Sequence, residues 1–302
     1  MSGHDVEAYR RGWRARLTYW GMLVPALVIL FSSLYPFLQG ILTSLTNRKL
    51  YLQTEDFIGL GNFETLIHTP LFWTALGNTL IYAVLVVVIQ IPLGLGFALL
   101  LDVPSRVRSF FRTTVVLPLL VPPVVAGLMW KTMMQPQSGV LNWLLQAVGL
   151  PPFSWLTDPS TALISVVLID AWVFTPFAVI IFMAGLQSVP PEIEEAGRVD
   201  GANAWQIFRL IRLPWLVPYI VLVALFRVAD SLKQLEIIYA TTRGGPLNAT
   251  RTLHIMAYEE AYRWSNLGRA MAIVFVLWLI CYLISGLLLA LWQKQEKARY
   301  AV

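Results

Sequence analysis

Four polar side chains in one apolar stretch, Arg227, Asp230, Ser231 and Gln234, fall at i, i+3, i+4 and i+7. On a helix this spacing puts them on one face. A second apolar stretch carries Asp170, with Val173, Phe174 and Phe177 on the same helical face. Acid and amide groups beside aromatic rings suit a carbohydrate: its hydroxyls take the hydrogen bonds and its C–H face packs on the rings. Arg227 keeps an anionic ligand open as well. A self-neutralising arrangement competes, because Arg227–Asp230 and Lys233–Glu236 are i,i+3 pairs of opposite charge. Asp170 has no cation near it in sequence, which makes it the stronger ligand candidate. Asp170→Ala is therefore expected to lower solute transport while assembly is kept. Phe174, Phe177 and Trp172 are of a kind that more often packs than binds a ligand.

Chemistry of other kinds finds no residues. His4, His68 and His254 are scattered without ligand spacing, and Cys281 stands alone in an apolar run, so neither a metal nor an intrachain disulfide is expected. No Ser/His/Asp or Cys/His arrangement suggests catalysis, and no cofactor is expected.

The elements that position these residues follow from composition. The chain of 302 residues is 57% hydrophobic and 13% charged, against about 25% charged in an ordinary soluble domain. Its solvent is a membrane lipid bilayer. A spanning helix needs roughly 20 apolar residues, the thickness of the hydrocarbon core. Leu17–Thr46, Leu80–Leu101, Thr113–Trp130 and Ala270–Trp292 carry no charge, Thr161–Val189 carries only Asp170, and Leu216–Thr242 begins apolar and then carries Arg227, Asp230, Lys233 and Glu236. Six helices are predicted, with Pro118, Pro122 and Pro123 kinking the third. The first run is too long for the roughly 7–15 residues of a signal-peptide core, so it is expected to be retained.

Basic residues set the orientation. Arg10, Arg11, Arg14 and Arg16 precede the first helix; Arg106, Arg108 and Arg112 lie between the second and third; Arg198, Arg209 and Arg212 between the fourth and fifth; and Lys294, Lys297 and Arg299 follow the sixth. In a six-helix topology all four segments share one side, the cytoplasmic one, with both termini inside. The net charge of +5 is thus topological and does not indicate a nucleic-acid partner. Trp130, Trp143, Trp155 and Trp264 fall near helix ends or in outer loops, as an aromatic belt would.

The loop of residues 190–214 reads as two short helices. Pro190 and Pro191 open the first, acidic residues occupy its first turn, and Asp200-Gly201 makes a turn. The second is amphipathic, with Trp205, Phe208, Ile211 and Leu213 against Gln206, Arg209 and Arg212, and Pro214 is expected to end it. Glu195-Ala196-Gly197, then Asp200-Gly201-Ala202, then Ile211, Leu213 and Pro214 resemble the EAA loop of ABC importer permeases, with Gly197 in place of the second alanine. Phe57-Ile58-Gly59-Leu60-Gly61-Asn62-Phe63, Pro176, Arg227-Val228-Ala229-Asp230 and Gly244-Gly245-Pro246 are similar to the carbohydrate-uptake branch, which includes the maltose and glycerol-3-phosphate permeases.

The resemblance implies an all-α membrane protein with the type I ABC importer permease fold. A basic segment 1–16 would precede a permease domain over 17–292, followed by a tail over 293–302. It implies a bacterial inner-membrane location and a role as the first of two paired permeases. Implied partners are a second homologous permease, two ATP-binding cassette ATPase subunits, an extracytoplasmic solute-binding protein and a sugar. The loop would be a coupling helix docked on an ATPase, with Glu195 facing a basic residue of that partner and Gly201 making the turn. No Gly-x-x-x-x-Gly-Lys-Ser/Thr phosphate loop occurs, so hydrolysis would belong to another chain and this one is not expected to be an enzyme. In that family the solute contacts lie on the fourth and fifth helices. Matching around Thr175-Pro176 and Gly244-Gly245-Pro246 puts them on Asp170, Val173, Phe174, Phe177, Arg227, Asp230, Ser231 and Gln234, although most identities differ. The same architecture importing glycerol-3-phosphate or another non-sugar solute, and an ion-driven transporter working through Asp170 and Asp230, are the alternatives.

Overall fold

The computed structural model describes residues 3–52, 55–102 and 108–300. Arg106 lies outside the described residues, as do the side chains of Arg10, Arg11, Arg14, Arg16, Arg108, Lys294, Lys297 and Arg299. In chain order the helices are α1 (Gly3–Ser44), α2 (Gly61–Ile67), α3 (Pro70–Asp102), α4 (Arg108–Val116), α5 (Pro123–Met133), α6 (Val140–Ala147), α7 (Pro159–Gln187), α8 (Pro191–Val199), α9 (Ala204–Ile207), α10 (Leu213–Leu232), α11 (Glu236–Thr241), α12 (Leu253–Tyr262) and α13 (Leu267–Tyr300). Among the described residues the β structure is a single bridge, Thr46 to Phe57.

Five helices are long and apolar enough to cross a membrane, and six if the bent pair around Pro122 is one span. That pair departs from the single kinked helix expected over Thr113–Trp130. A 3-10 turn over Leu117–Leu120 follows α4, and the axis then bends by 97° into α5. Two successive prolines explain the break. The residue before a proline is pushed out of the α region, and both Val121 (ψ 124°) and Pro122 (ψ 133°) precede one.

The fifth span also differs from the expectation. Pro214 does not end a helix. The second piece of the loop runs through a π-helical turn, Phe208–Arg212, straight into α10. The Leu213 N–H bonds to the Phe208 carbonyl five residues back, a register shift just ahead of Pro214, which has no N–H to give. At the far end the helix stops at Leu232, and α11 begins only at Glu236. Gln234 therefore lies past the helix, not on its face.

The core lies where α3, α7 and α10 cross. Small residues bring membrane helices close: a Cβ on Gly94 of α3 would stand 2.6 Å from the Ala178 Cβ of α7, and one on Gly185 would meet Leu216 and Tyr219 of α10 at 2.8 Å. Tyr82, Val86, Ile169, Val173 and Ile237 are fully buried around this crossing. The apolar part of α1, Trp20–Ser44, by contrast is almost wholly unburied within the chain, with Thr43 and Ser44 buried only at its end. It meets α13 through Phe37 and Trp278, whose ring centroids are 5.2 Å apart. Trp143 and Trp264 are exposed, whereas the Trp155 indole donates to Asn142 Oδ1 at 2.9 Å and is tied into the loop between α6 and α7.

Candidate functional site

The polar residues of the spans converge, in a grouping that sequence spacing alone does not indicate. Asp170 accepts four hydrogen bonds: from Arg227 Nη2 at 2.6 Å, Gln90 Nε2 at 2.7 Å, Tyr82 Oη at 2.8 Å and Gln234 Nε2 at 3.3 Å. An ionised carboxylate offers about four acceptor sites, so all are filled. Arg227 also donates from Nε to Gln90 Oε1 at 2.6 Å and lies 4.4 Å over the Phe174 ring. Both side chains of the ion pair are 1% exposed. Charges this deep persist only when paired and fully hydrogen-bonded. The network ties α3, α7, α10 and the Gln234 loop into one block.

This geometry revises two expectations. The cation of Asp170 is Arg227, and the Arg227–Asp230 contact is the looser one at 3.7 Å. Lys233, expected to face Glu236, meets Asp230 at 3.2 Å. Asp170 has no lone pair left for a solute in this conformation, and Asp170→Ala would leave a buried, uncompensated guanidinium; preserved assembly is no longer expected of it. Tyr82 and Gln90 are uncharged and do not stand out in a run identified by its lack of charge. The available signal was an amide in a charge-free span, where polar groups are costly.

The remaining sequence-predicted positions divide by exposure. Val173 and Ser231 are buried, and the Ser231 hydroxyl donates to the Val228 carbonyl at 3.0 Å. Phe177 is half-buried and packs edge-on against Phe226 with centroids 5.8 Å apart. Phe226, Asp230 and Lys233 reach open space. The open surface at this level is thus two phenyl rings beside a carboxylate and an ammonium.

The loop of residues 190–214 folds as two helical pieces. Pro190 caps α8, and Gly201 takes φ +81°, where only glycine sits without strain. Asn203 and Gln206 form a reciprocal capping box on α9, at 2.9 and 2.8 Å. Gly197 lies against the second piece: a Cβ there would meet Ile207 Cδ1 at 2.8 Å and Ile211 Cδ1 at 3.0 Å. Ala202 lines a cavity of about 460 Å³ with Arg198, Ala204, Ile207, Phe208 and Arg212. Glu195, Ala196 and Asp200 are exposed, beside the unburied side chains of Val199, Trp205 and Leu210. Ile211, Leu213 and Pro214 are half-buried where the loop enters the span.

Arg212 joins this loop to the bundle. It donates to Glu194 through Nε at 2.7 Å and Nη2 at 2.8 Å, and its Nη1 lies 3.3 Å from Asp102 at the end of α3. One guanidinium therefore touches α8, the root of α10 and the end of α3. The hydrogen bonds from Arg212 hold the Glu194 carboxyl below its ordinary value, and the same bonds push the Arg212 guanidinium up.

Long apolar helices around a buried polar hub, with a two-piece helical loop outside the apolar layer, define a multi-pass membrane transport subunit. The chain belongs to the family described as the binding-protein-dependent transport system inner membrane component, matched over residues 90–297. A probable ABC transporter permease protein of Sinorhizobium fredii is 38% identical over 89% of this chain and 88% of its own length. The trehalose/maltose transport system permease protein of Thermococcus litoralis is 32% identical over 84% of this chain and 85% of that protein. Among solved structures, a bacterial ABC transporter involved in the import of the acidic polysaccharide alginate superposes with a TM-score of 0.82 at 24% identity, over 96% of this chain and 99% of that one. The chain is thus a permease component of an ABC importer with the fold expected for that class, and transport depends on a binding protein. An ion-driven transporter working through Asp170 and Asp230 is set aside by this membership.

Proposed function

We propose that this chain forms half of a translocation pathway for a carbohydrate, in a complex with a homologous permease, two ATP-binding cassette ATPase subunits and an extracytoplasmic solute-binding protein. Both termini and the loop of residues 190–214 face the cytoplasm in this reading. The observation that carries it is the open face made by Phe177, Phe226, Asp230 and Lys233, where rings meet the C–H face of a sugar and the charged pair meets its hydroxyls. The names of the relatives support a sugar, since they include trehalose/maltose and lactose permeases. An anionic solute such as glycerol-3-phosphate loses the cation that favoured it, because Arg227 is committed to Asp170 and Gln90.

Coupling follows from the loop. Glu195 and the exposed apolar side chains dock on the ATPase, and Arg212 passes the displacement to α3 and α10 together. Rigid-body rocking of helices about a central site is a common mode of alternating access.

The test uses the whole complex in liposomes with its binding protein, first screened for sugars by thermal shift. Phe177→Ala should lower uptake of the identified sugar about tenfold, the scale of losing a buried aromatic contact of about 1.4 kcal/mol, with basal ATP hydrolysis unchanged. Uptake equal to that of the unaltered complex would remove this face from the pathway.

A further inference from the structure

The least satisfied cation in the described structure lies outside everything above. Arg112 of α4 has its Nε and Nη2 atoms buried with no hydrogen-bond partner among the described residues. A buried N–H left unmatched is costly, and more so on a charged group. A cavity of about 290 Å³ beside it is lined by Leu101, Val179, Ile180, Met183 and Gln187, and among the described residues its wall carries no acid. A second, of about 410 Å³, lies on the same three elements further into the bundle, with Phe97, Val115, Trp172 and Thr175 in its wall. The Thr175 hydroxyl is likewise buried and unpartnered.

The two cavities form one line along α7. Their linings follow it from Leu168 to Gln187, about 28 Å at 1.5 Å per residue. At about 100° per residue, these positions centre roughly 140° from Asp170, Val173, Phe174 and Phe177. The groove is therefore centred on a different face of α7 from the polar hub and the open aromatic face. Its Arg112 end lies where α3 ends and α7 gives way to the loop of residues 190–214, which places it at the membrane surface on the loop's side.

We propose that this groove holds one anionic phospholipid, its phosphate on the Arg112 guanidinium and an acyl chain along α7. Basic pockets between helices on the cytoplasmic side are the usual seats of such headgroups. One leaflet of hydrocarbon, about 15 Å, carries the chain from Gln187 past Val179 towards Thr175. A free anion would use Arg112 and leave the apolar length empty, whereas a lipid uses both. The guanidinium presents a planar pair of donors suited to a phosphate.

The test is native mass spectrometry of the complete complex supplied with phosphatidylglycerol, with phosphatidylcholine, and with phosphatidylglycerol plus inorganic phosphate. The unaltered complex should retain one more phosphatidylglycerol than Arg112→Ala, with about a tenfold loss of occupancy, the scale of one charge-assisted contact. Ile180→Trp, which narrows the groove and leaves Arg112 intact, should lose the same lipid even if Arg112→Ala fails to assemble. Equal lipid counts in all three proteins would overturn the proposal. So would displacement by inorganic phosphate, which would mark a bare anion site. Efficient photocrosslinking of the second permease by a benzophenone side chain placed at Met183 would also overturn it, since the groove would then be a protein interface.

Discussion

Arg227 and Arg212 each bind a carboxylate on another helix, yet their side chains are 1% and 24% exposed. Arg227 sits among α3, α7 and α10 with a fully bonded acid, and no water can replace what it would lose. Arg212 sits at the edge of the bundle, where water can take over a broken bond. The same side chain makes a fixed block in one place and, in the coupling proposed above, a joint that can open in the other. The dielectric around each pair, more than the pairing chemistry, separates structure from motion here.

Breaking the block should have the largest effect. Asp170→Ala strands a buried guanidinium and should cost about 3–5 kcal/mol, read as a lower melting temperature and yield of the complex. Adding Arg227→Met should recover much of that loss, because a buried pair replaced by apolar side chains is often neutral. If Asp170→Ala melts with the unaltered complex, the contrast between the two arginines fails.

Arg212→Ala should barely move stability, since a partly solvated ion pair is worth about 0–1 kcal/mol. Its effect should appear in coupling: ATP hydrolysis stimulated by loaded binding protein should fall several-fold with the complex still assembled. Arg212→Lys should restore only part, because lysine lacks the planar fork that grips Glu194 twice. Acid sharpens the point. The Glu194 carboxyl is held below its ordinary value by Arg212, so its contribution is full above about pH 4.3, the unfolded value. It disappears only as the pH falls through the lower folded value. Coupled hydrolysis should therefore show no Glu194-dependent decline between about pH 7 and pH 5. A Glu194-dependent loss in that window would mean the joint is not held this way.

The smallest effect belongs to Gly201→Ala. Space around Gly201 is open, so the change meets only the backbone penalty of φ +81°, about 1 kcal/mol. Co-purification of the ATPase should weaken slightly. An unaffected complex would show that the turn yields without consequence.

Much of the fold was legible before any coordinates. Hydrocarbon thickness turns a charge-free run into a span, and the turn at Gly201 follows from a glycine that can take positive φ. Prolines 118, 122 and 123 marked the weak point of the third span. Its 97° bend was not legible, because a kink needs one proline's clash, whereas this break comes from two adjacent pre-proline residues both held extended. Pro214 misled for the opposite reason: a π turn ahead of it absorbs the missing N–H and lets the helix continue.

By itself the sequence determined the solvent of this protein, the number and length of its apolar runs, and the two-piece loop with its turn, because these rest on local composition and backbone preference. Only the tertiary structure decided which charge meets which. Spacing offered Arg227 the neighbour Asp230, three residues away. Packing instead brought Asp170 from 57 residues upstream to 2.6 Å, and Gln90 and Tyr82 from a third helix. A buried charge is stabilised by whatever partner surrounds it in space, and helix crossing, not sequence separation, sets that company.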